Sequence, residues 1–94
     1  MSDLKDRVIN ALKEVVDTEI NMNVIDGKMI FDLEVTEERV SLKFRPTSPI
    51  CPIALKLATE VKDKLVSLNI FKTVKVEVID HVMAPKINET LNSY

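Results

Sequence analysis

The residues best equipped for chemistry are a single cysteine, Cys51, a single histidine, His81, and two acids close together, Asp17 and Glu19. Cys51 sits in Thr47-Ser48-Pro49-Ile50-Cys51-Pro52, between a strand-like run ending near Phe44 and a helix-like run beginning near Pro52. Proline suits the first helical position, where its missing N–H costs nothing, so Cys51 is expected at or near a helix N-terminus. Unpaired N–H groups and the positive end of the helix dipole favour a thiolate there, suited to metal or redox chemistry.

Each of these residues also has a plainer role. A lone cysteine commonly serves as a small buried hydrophobe. As a nucleophile it needs a base, and the candidate is His81, thirty residues further on. As a metal ligand it needs partners, because one thiolate cannot close a four-coordinate iron or zinc site. His81, Asp17 or Glu19, a second chain or another protein would have to complete the set. Asp17 and Glu19 read equally well as solvated loop acids, and His81 as a partly exposed residue at a strand end. Thr47 and Ser48 fit as caps for the helix that follows. A single glycine in the chain rules out a Gly-rich phosphate loop, which disfavours a nucleotide-binding enzyme.

These residues must be held by a small scaffold. Ninety-four residues, 46% of them hydrophobic and with no linker-like stretch, predict one domain over residues 1–94 with a single two-layer core. The net charge of -2 comes from 13 basic and 15 acidic side chains that are interspersed, and the aromatic residues are Phe31, Phe44, Phe71 and Tyr94. Neither a basic face for phosphate nor a stacking platform for bases is on offer, so nucleic acid is not an expected partner. No apolar run approaches the roughly 20 residues needed to span a bilayer, and Met1 to Lys13 is charged and amphipathic. A cytoplasmic protein is expected, with the thiol of Cys51 kept reduced.

Hydrophobic spacing supplies the elements. Ser2-Asp3 marks a helix start, and Leu4, Val8, Ala11, Leu12 and Val15 form one stripe, predicting a helix that ends near Val16. Asn21 to Ile25 is a short extended piece, followed by Asp26-Gly27, a two-residue hairpin signal. In Met29 to Val35, Phe31, Leu33 and Val35 alternate with polar residues; Val40, Leu42 and Phe44 do the same after the Glu37-Glu38 turn. The two runs predict an antiparallel hairpin with Asp32 and Glu34 facing Lys43 and Arg45 on its outer side. From Ile53 to Leu68 a second amphipathic helix is predicted, with Asn69 as a left-handed cap and Ile70 folding back. Val74, Val76 and Val78 form a third strand, parallel to the 40–45 strand by a right-handed crossover. Met83, Ile87 and Leu91 share a helical spacing behind Pro85. The order helix, strand, strand, helix, strand predicts an α+β two-layer sandwich, a small mixed sheet with helices on one face.

This order, with Thr47-x-Pro49-x-Cys51-Pro52, resembles the SufT-like and PaaD-like family of iron-sulfur cluster assembly accessory proteins, also called metal-sulfur cluster biosynthetic factors. Val16-Asp17-Thr18-Glu19-Ile20 is similar to the family's Asp-Pro-Glu segment, Asn23-Val24-Ile25 to the extended piece after it, and Leu68-Asn69-Ile70 with Val74, Val76 and Val78 to its helix ending and last strand. The resemblance implies an α+β domain in which a reactive Cys51 lies near Asp17 and Glu19, with Thr47 lining the same site. It implies help in maturing iron-sulfur clusters or delivering them to client proteins, the cysteine holding a cluster or iron transiently or organising a protein contact. The chain departs from the family pattern at Thr18 for proline, at Ile50 for a glycine before the cysteine, and at Asp26-Gly27-Lys28 for a more apolar segment. A side chain at position 50 bears on access to Cys51.

Residues and resemblance together predict a non-enzymatic accessory factor of cluster assembly or delivery, with Cys51 as thiolate ligand and Asp17, Glu19, Thr47 and His81 around it. A homodimer would complete the ligand set with two copies of Cys51. Two other readings stay open. One is an interaction scaffold that touches no metal and uses a sheet edge or the Met83 to Leu91 tail. The other is a thiol-dependent enzyme pairing Cys51 with His81, which requires a pocket joining the two.

Overall fold

The computed structural model describes residues 3–50 and 52–92; Ser2 and Cys51 lie outside them. Helix α1 spans Asp3–Leu12, with Val8, Ala11 and Leu12 buried. It stops short of Val16, the end predicted from the apolar stripe. The last bonds tighten to a spacing of three residues, Glu14 N–H to Ala11 (3.1 Å) and Val15 N–H to Leu12 (3.0 Å), and the Val15 carbonyl then accepts from Val24 N–H at 3.0 Å. Val15 still reaches the core, at 2% exposure, but from beyond the end of the helix.

Strands β1 (Val16–Asp17) and β2 (Met22–Asn23) form a two-residue antiparallel ladder. The extended piece around Asn23 therefore pairs backwards, and Asp26-Gly27 is not the turn of a two-residue hairpin leading into the next strand. Asn23 Oδ1 instead accepts from the N–H groups of Ile25 (2.9 Å) and Asp26 (2.8 Å), and Gly27 N–H closes on the Asn23 carbonyl at 2.9 Å. The left-handed residue is Lys28, with φ 57°. Gly27 is needed for space: a Cβ there would stand 2.9 Å from Met29 Cε, 3.1 Å from the Asn23 carbonyl oxygen and 3.2 Å from Ile20 Cδ1.

Strands β3 (Ile30–Val35) and β4 (Arg39–Phe44) make the predicted antiparallel hairpin, and β5 (Thr73–Val78) runs parallel to β4, giving the order β3-β4-β5. The register of β3 slips between Phe31 and Glu34, where Asp32 takes φ 51°. This bulge overturns the simple alternation. Ile30 lies opposite Phe44 and Val35 opposite Val40, both core residues, whereas Phe31 lies opposite Lys43 and is 39% exposed. Lys43 pairs with Asp32 at 3.4 Å as predicted, but Arg45 pairs with Asp80 at 3.4 Å and Glu34 lies opposite Ser41.

Helix α2 spans Ala54–Ser67 and buries Leu57, Ala58, Val61 and Leu65. Ile53 occupies the N-cap with no side-chain cap bond, so Pro52 precedes the cap and is not the first helical residue. Neither Thr47 nor Ser48 caps the helix; Ser48 Oγ accepts from Ile50 N–H at 3.2 Å, a local turn within the segment itself. At the other end Asn69 is left-handed, φ 56°, as predicted, and its N–H reaches the Val66 carbonyl at 3.0 Å.

Helix α3 (Ala84–Leu91) carries Pro85 in its first turn and buries Ile87 and Leu91, while Met83 stays 49% exposed at the N-cap. Lys62, 6% exposed on α2, donates its ammonium to the Leu91 carbonyl, a favourable place for a cation at a helix C-terminus. Helices α2 and α3 pack on β5 and α1 packs on α2, so the apolar sheet face is covered and the other is open, the α+β two-layer arrangement predicted. Both sheet edges are interrupted, β3 by its bulge and β5 at Val78 by the side chain of Asn88. No helix among the described residues is long and apolar enough to cross a membrane.

Candidate functional site

The site grows from the segment that leaves β4. Arg45 N–H bonds to the Met29 carbonyl (2.8 Å), Pro46 is buried, and the chain emerges at Thr47, Pro49 and Ile50. The turn that leaves β5 meets it, with Val82 N–H donating to the Pro49 carbonyl at 2.9 Å. Ile50 and Pro52, the neighbours of Cys51 in sequence, thereby line one groove of about 370 Å³ together with His81, Val82, Met83 and Lys86. Cys51 itself lies outside the described residues, as does its distance from His81. Ile50 is 73% exposed, so its side chain stands on the surface.

His81 is held by its own turn. Its Nδ1 accepts from Met83 N–H at 3.0 Å and its carbonyl accepts from Ala84 N–H at 3.0 Å. With Nδ1 accepting, a neutral imidazole carries its proton on Nε2.

Asp17 is fully buried, which sequence reading as a solvated loop acid does not anticipate. Its Oδ1 accepts from Glu19 N–H at 2.9 Å, and its Oδ2 has no hydrogen-bond partner among the described residues. A buried carboxylate oxygen left without a donor is costly to keep, and natural proteins retain such groups where they serve a purpose. Glu19 and Thr47 are exposed. Thr47 borders a recess of about 270 Å³ with Gly27, Lys28 and Arg45, and Gly27 is packed closely under Ile20 of the acidic turn. The acidic turn and Thr47 are thus joined through Gly27, but no hydrogen bond links Thr47 to Asp17 or Glu19. Among the described residues no three His, Cys, Asp or Glu side chains are grouped to hold a metal ion.

Sequence reading missed the apolar part of the site. Leu55, Val82 and Met83 are 41%, 66% and 49% exposed around the groove. Their signal in sequence was slight: Met83 shares a helical spacing with Ile87 and Leu91, but Val82 falls outside it and Leu55 outside the apolar stripe of the second helix.

The matches to known proteins cover most of the chain. A family model described as iron-sulfur cluster assembly protein matches residues 5–78, a span that includes Asp17, Thr47 and Cys51. An uncharacterised protein of Methanocaldococcus jannaschii is 40% identical over 88 residues, 93% of each chain. The Fe-S protein maturation auxiliary factor YitW of Bacillus subtilis is 29% identical over 77 residues, 81% of this chain and 76% of that one. Among solved structures, a Bacillus anthracis domain of unknown function, DUF59, superposes with a TM-score of 0.74 at 17% identity, covering 97% of this chain and 93% of its own. Rv1466 of Mycobacterium tuberculosis, described as associated with Fe-S complex assembly and repair, gives 0.57 at 21% identity, covering 99% and 92%. These two likenesses show the fold.

Proposed function

The chain belongs to the iron-sulfur cluster assembly protein family, and from that premise we propose that it is an accessory factor that helps mature clusters or pass them to client proteins, with Cys51 as the working thiolate. The observation that carries this reading is the family match itself, which runs unbroken through Asp17, Thr47 and Cys51. The cluster or iron is cargo. Cys51 is the side chain of this chain best suited to meet it, and the remaining ligands come from a client, an assembly protein or a second copy of the chain. An incomplete ligand set suits a carrier, since metal held by few ligands is readily released to a better site.

The role is non-enzymatic. Holding and passing a cluster calls for a thiolate ligand and needs no Cys51/His81 catalytic pair. The protein works in the cytoplasm, where the thiol stays reduced.

Anaerobic reconstitution with iron and sulfide, comparing wild type with Cys51→Ala, tests the reading. Iron, sulfide and visible absorption present in the wild type and lost in the variant support it. Equal loading of both proteins, or Cys51→Ser cells with undiminished cluster-enzyme activity, would overturn the assignment of Cys51. The exposed apolar groove beside Ile50 and Pro52 favours a second reading, a scaffold that binds proteins without metal, for which neither protein loads.

A further inference from the structure

We infer that the groove between the Pro49–Pro52 segment and the start of α3 is a docking site for a short protein segment that pairs large apolar side chains with a carboxylate. Its walls are apolar and open: Ile50, Leu55, Val82 and Met83 are 73%, 41%, 66% and 49% exposed. Apolar surface gathered in one concavity, rather than scattered singly, marks an interaction site. Its lip is cationic. Lys86 stands there without an ion pair among the described residues, and no carboxylate lines the groove. This inverts the charge of a chain that is net -2 overall. The recess between residues 14–16 and α2, by contrast, carries Glu14, Glu60 and Asp63 with Lys64, and the outer sheet face carries Asp32, Glu34 and Glu77 with Lys43 and Lys75, so in both the acids outnumber the cations.

That distribution selects the occupant. A two-fold pairing of this chain through the groove would bring two Lys86 ammonium groups and no lining carboxylate of the described residues into one interface, leaving both cations unpaired. A membrane surface prefers protruding apolar residues backed by several cations, whereas this site is concave with Lys86 on its lip. Strand addition is disfavoured because both sheet edges are interrupted. An apolar segment bearing Asp or Glu satisfies walls and lip together. That the segment belongs to a client or assembly protein rests on the function proposed above; the chemistry of the groove does not.

The test uses the full chain and a displayed library of short random peptides. The expected consensus places Asp or Glu beside large apolar residues. The synthetic consensus peptide, titrated by fluorescence anisotropy, should bind about tenfold more weakly to Lys86→Glu and to Val82→Asp. A peptide with its acid changed to lysine should regain affinity for Lys86→Glu. Both positions are exposed, and unchanged thermal melts confirm that the variants fold. Iron and sulfide loading of Cys51→Ala is read in its own assay, so failure of the groove and failure of the Cys51 assignment are distinguished. The inference is overturned by no enrichment over blank support, by a consensus lacking acids, or by affinity indifferent to Lys86→Glu. It is overturned equally by a dimer in light scattering that Val82→Asp disperses, or by Val82-dependent sedimentation with vesicles of anionic lipid.

Discussion

The side-chain amide of Asn88 grips the backbone of Val78 at both of its polar groups, accepting from its N–H at 2.7 Å and donating to its carbonyl at 3.0 Å. A residue of α3 thereby does for the edge of β5 what a neighbouring strand would do. It also ties α3 to β5, and with it the Met83 and Lys86 side of the groove. Asn88→Ala removes both bonds, each worth about 1 kcal/mol net, so a loss of about 2 kcal/mol is expected in urea unfolding. The freed edge should also make the variant more prone to self-association, visible in light scattering at high concentration.

The bulge at Asp32 assigns opposite roles to two phenylalanines that simple alternation places on one face. Phe31→Thr, on the outer face, should change unfolding free energy by about 0.5 kcal/mol or less. Phe44→Ala, in the fully buried core, should cost about 3 to 5 kcal/mol. Equal costs would mean that the register runs without the slip.

Gly27 separates steric need from backbone need. Its φ is not in the left-handed region, so Gly27→Ala tests space alone. Met29 Cε can move aside, but the Asn23 carbonyl belongs to the turn and Ile20 to the acidic loop. A cost of about 1 to 3 kcal/mol in thermal unfolding is expected. The shift should be felt at Asp17 and Glu19, as amide chemical-shift changes in the β1–β2 turn.

Asp17 is expected to trade stability for function. Asp17→Asn keeps an oxygen for Glu19 N–H while replacing the unpartnered carboxyl oxygen by an amide group, which costs less to bury than a carboxylate. The variant should be at least as stable as the wild type, with a gain of up to about 1 kcal/mol, yet support cluster enzymes poorly in cells. A less stable but fully active Asp17→Asn would show the carboxylate to be structural.

Much of this was legible in the chain because it rests on local spacing. The stripe through Leu57, Val61 and Leu65 and the alternation of Val76 and Val78 fix which face of an element is apolar, whatever it later packs against. Asn69 announced the end of α2 because its left-handed backbone is a local preference. The resemblance carried by Thr47, Pro49, Cys51 and the Asp17 segment was likewise readable, and the family match confirms it.

What sequence could not decide were the places where two distant segments compete for one backbone or one space. Helix α1 stops early because the Val15 carbonyl is taken by Val24. Phe31 turns outward because β3 must absorb one extra residue against β4. Pro52 misses the first helical position because the chain first has to meet Val82 through Pro49, and Thr47 and Ser48 lose their capping role with it. The burial of Asp17 and the gathering of Ile50, Leu55, Val82 and Met83 into one groove belong to the same class. Spacing along the chain determines which residues can share a face; only closure of the tertiary structure decides which faces meet.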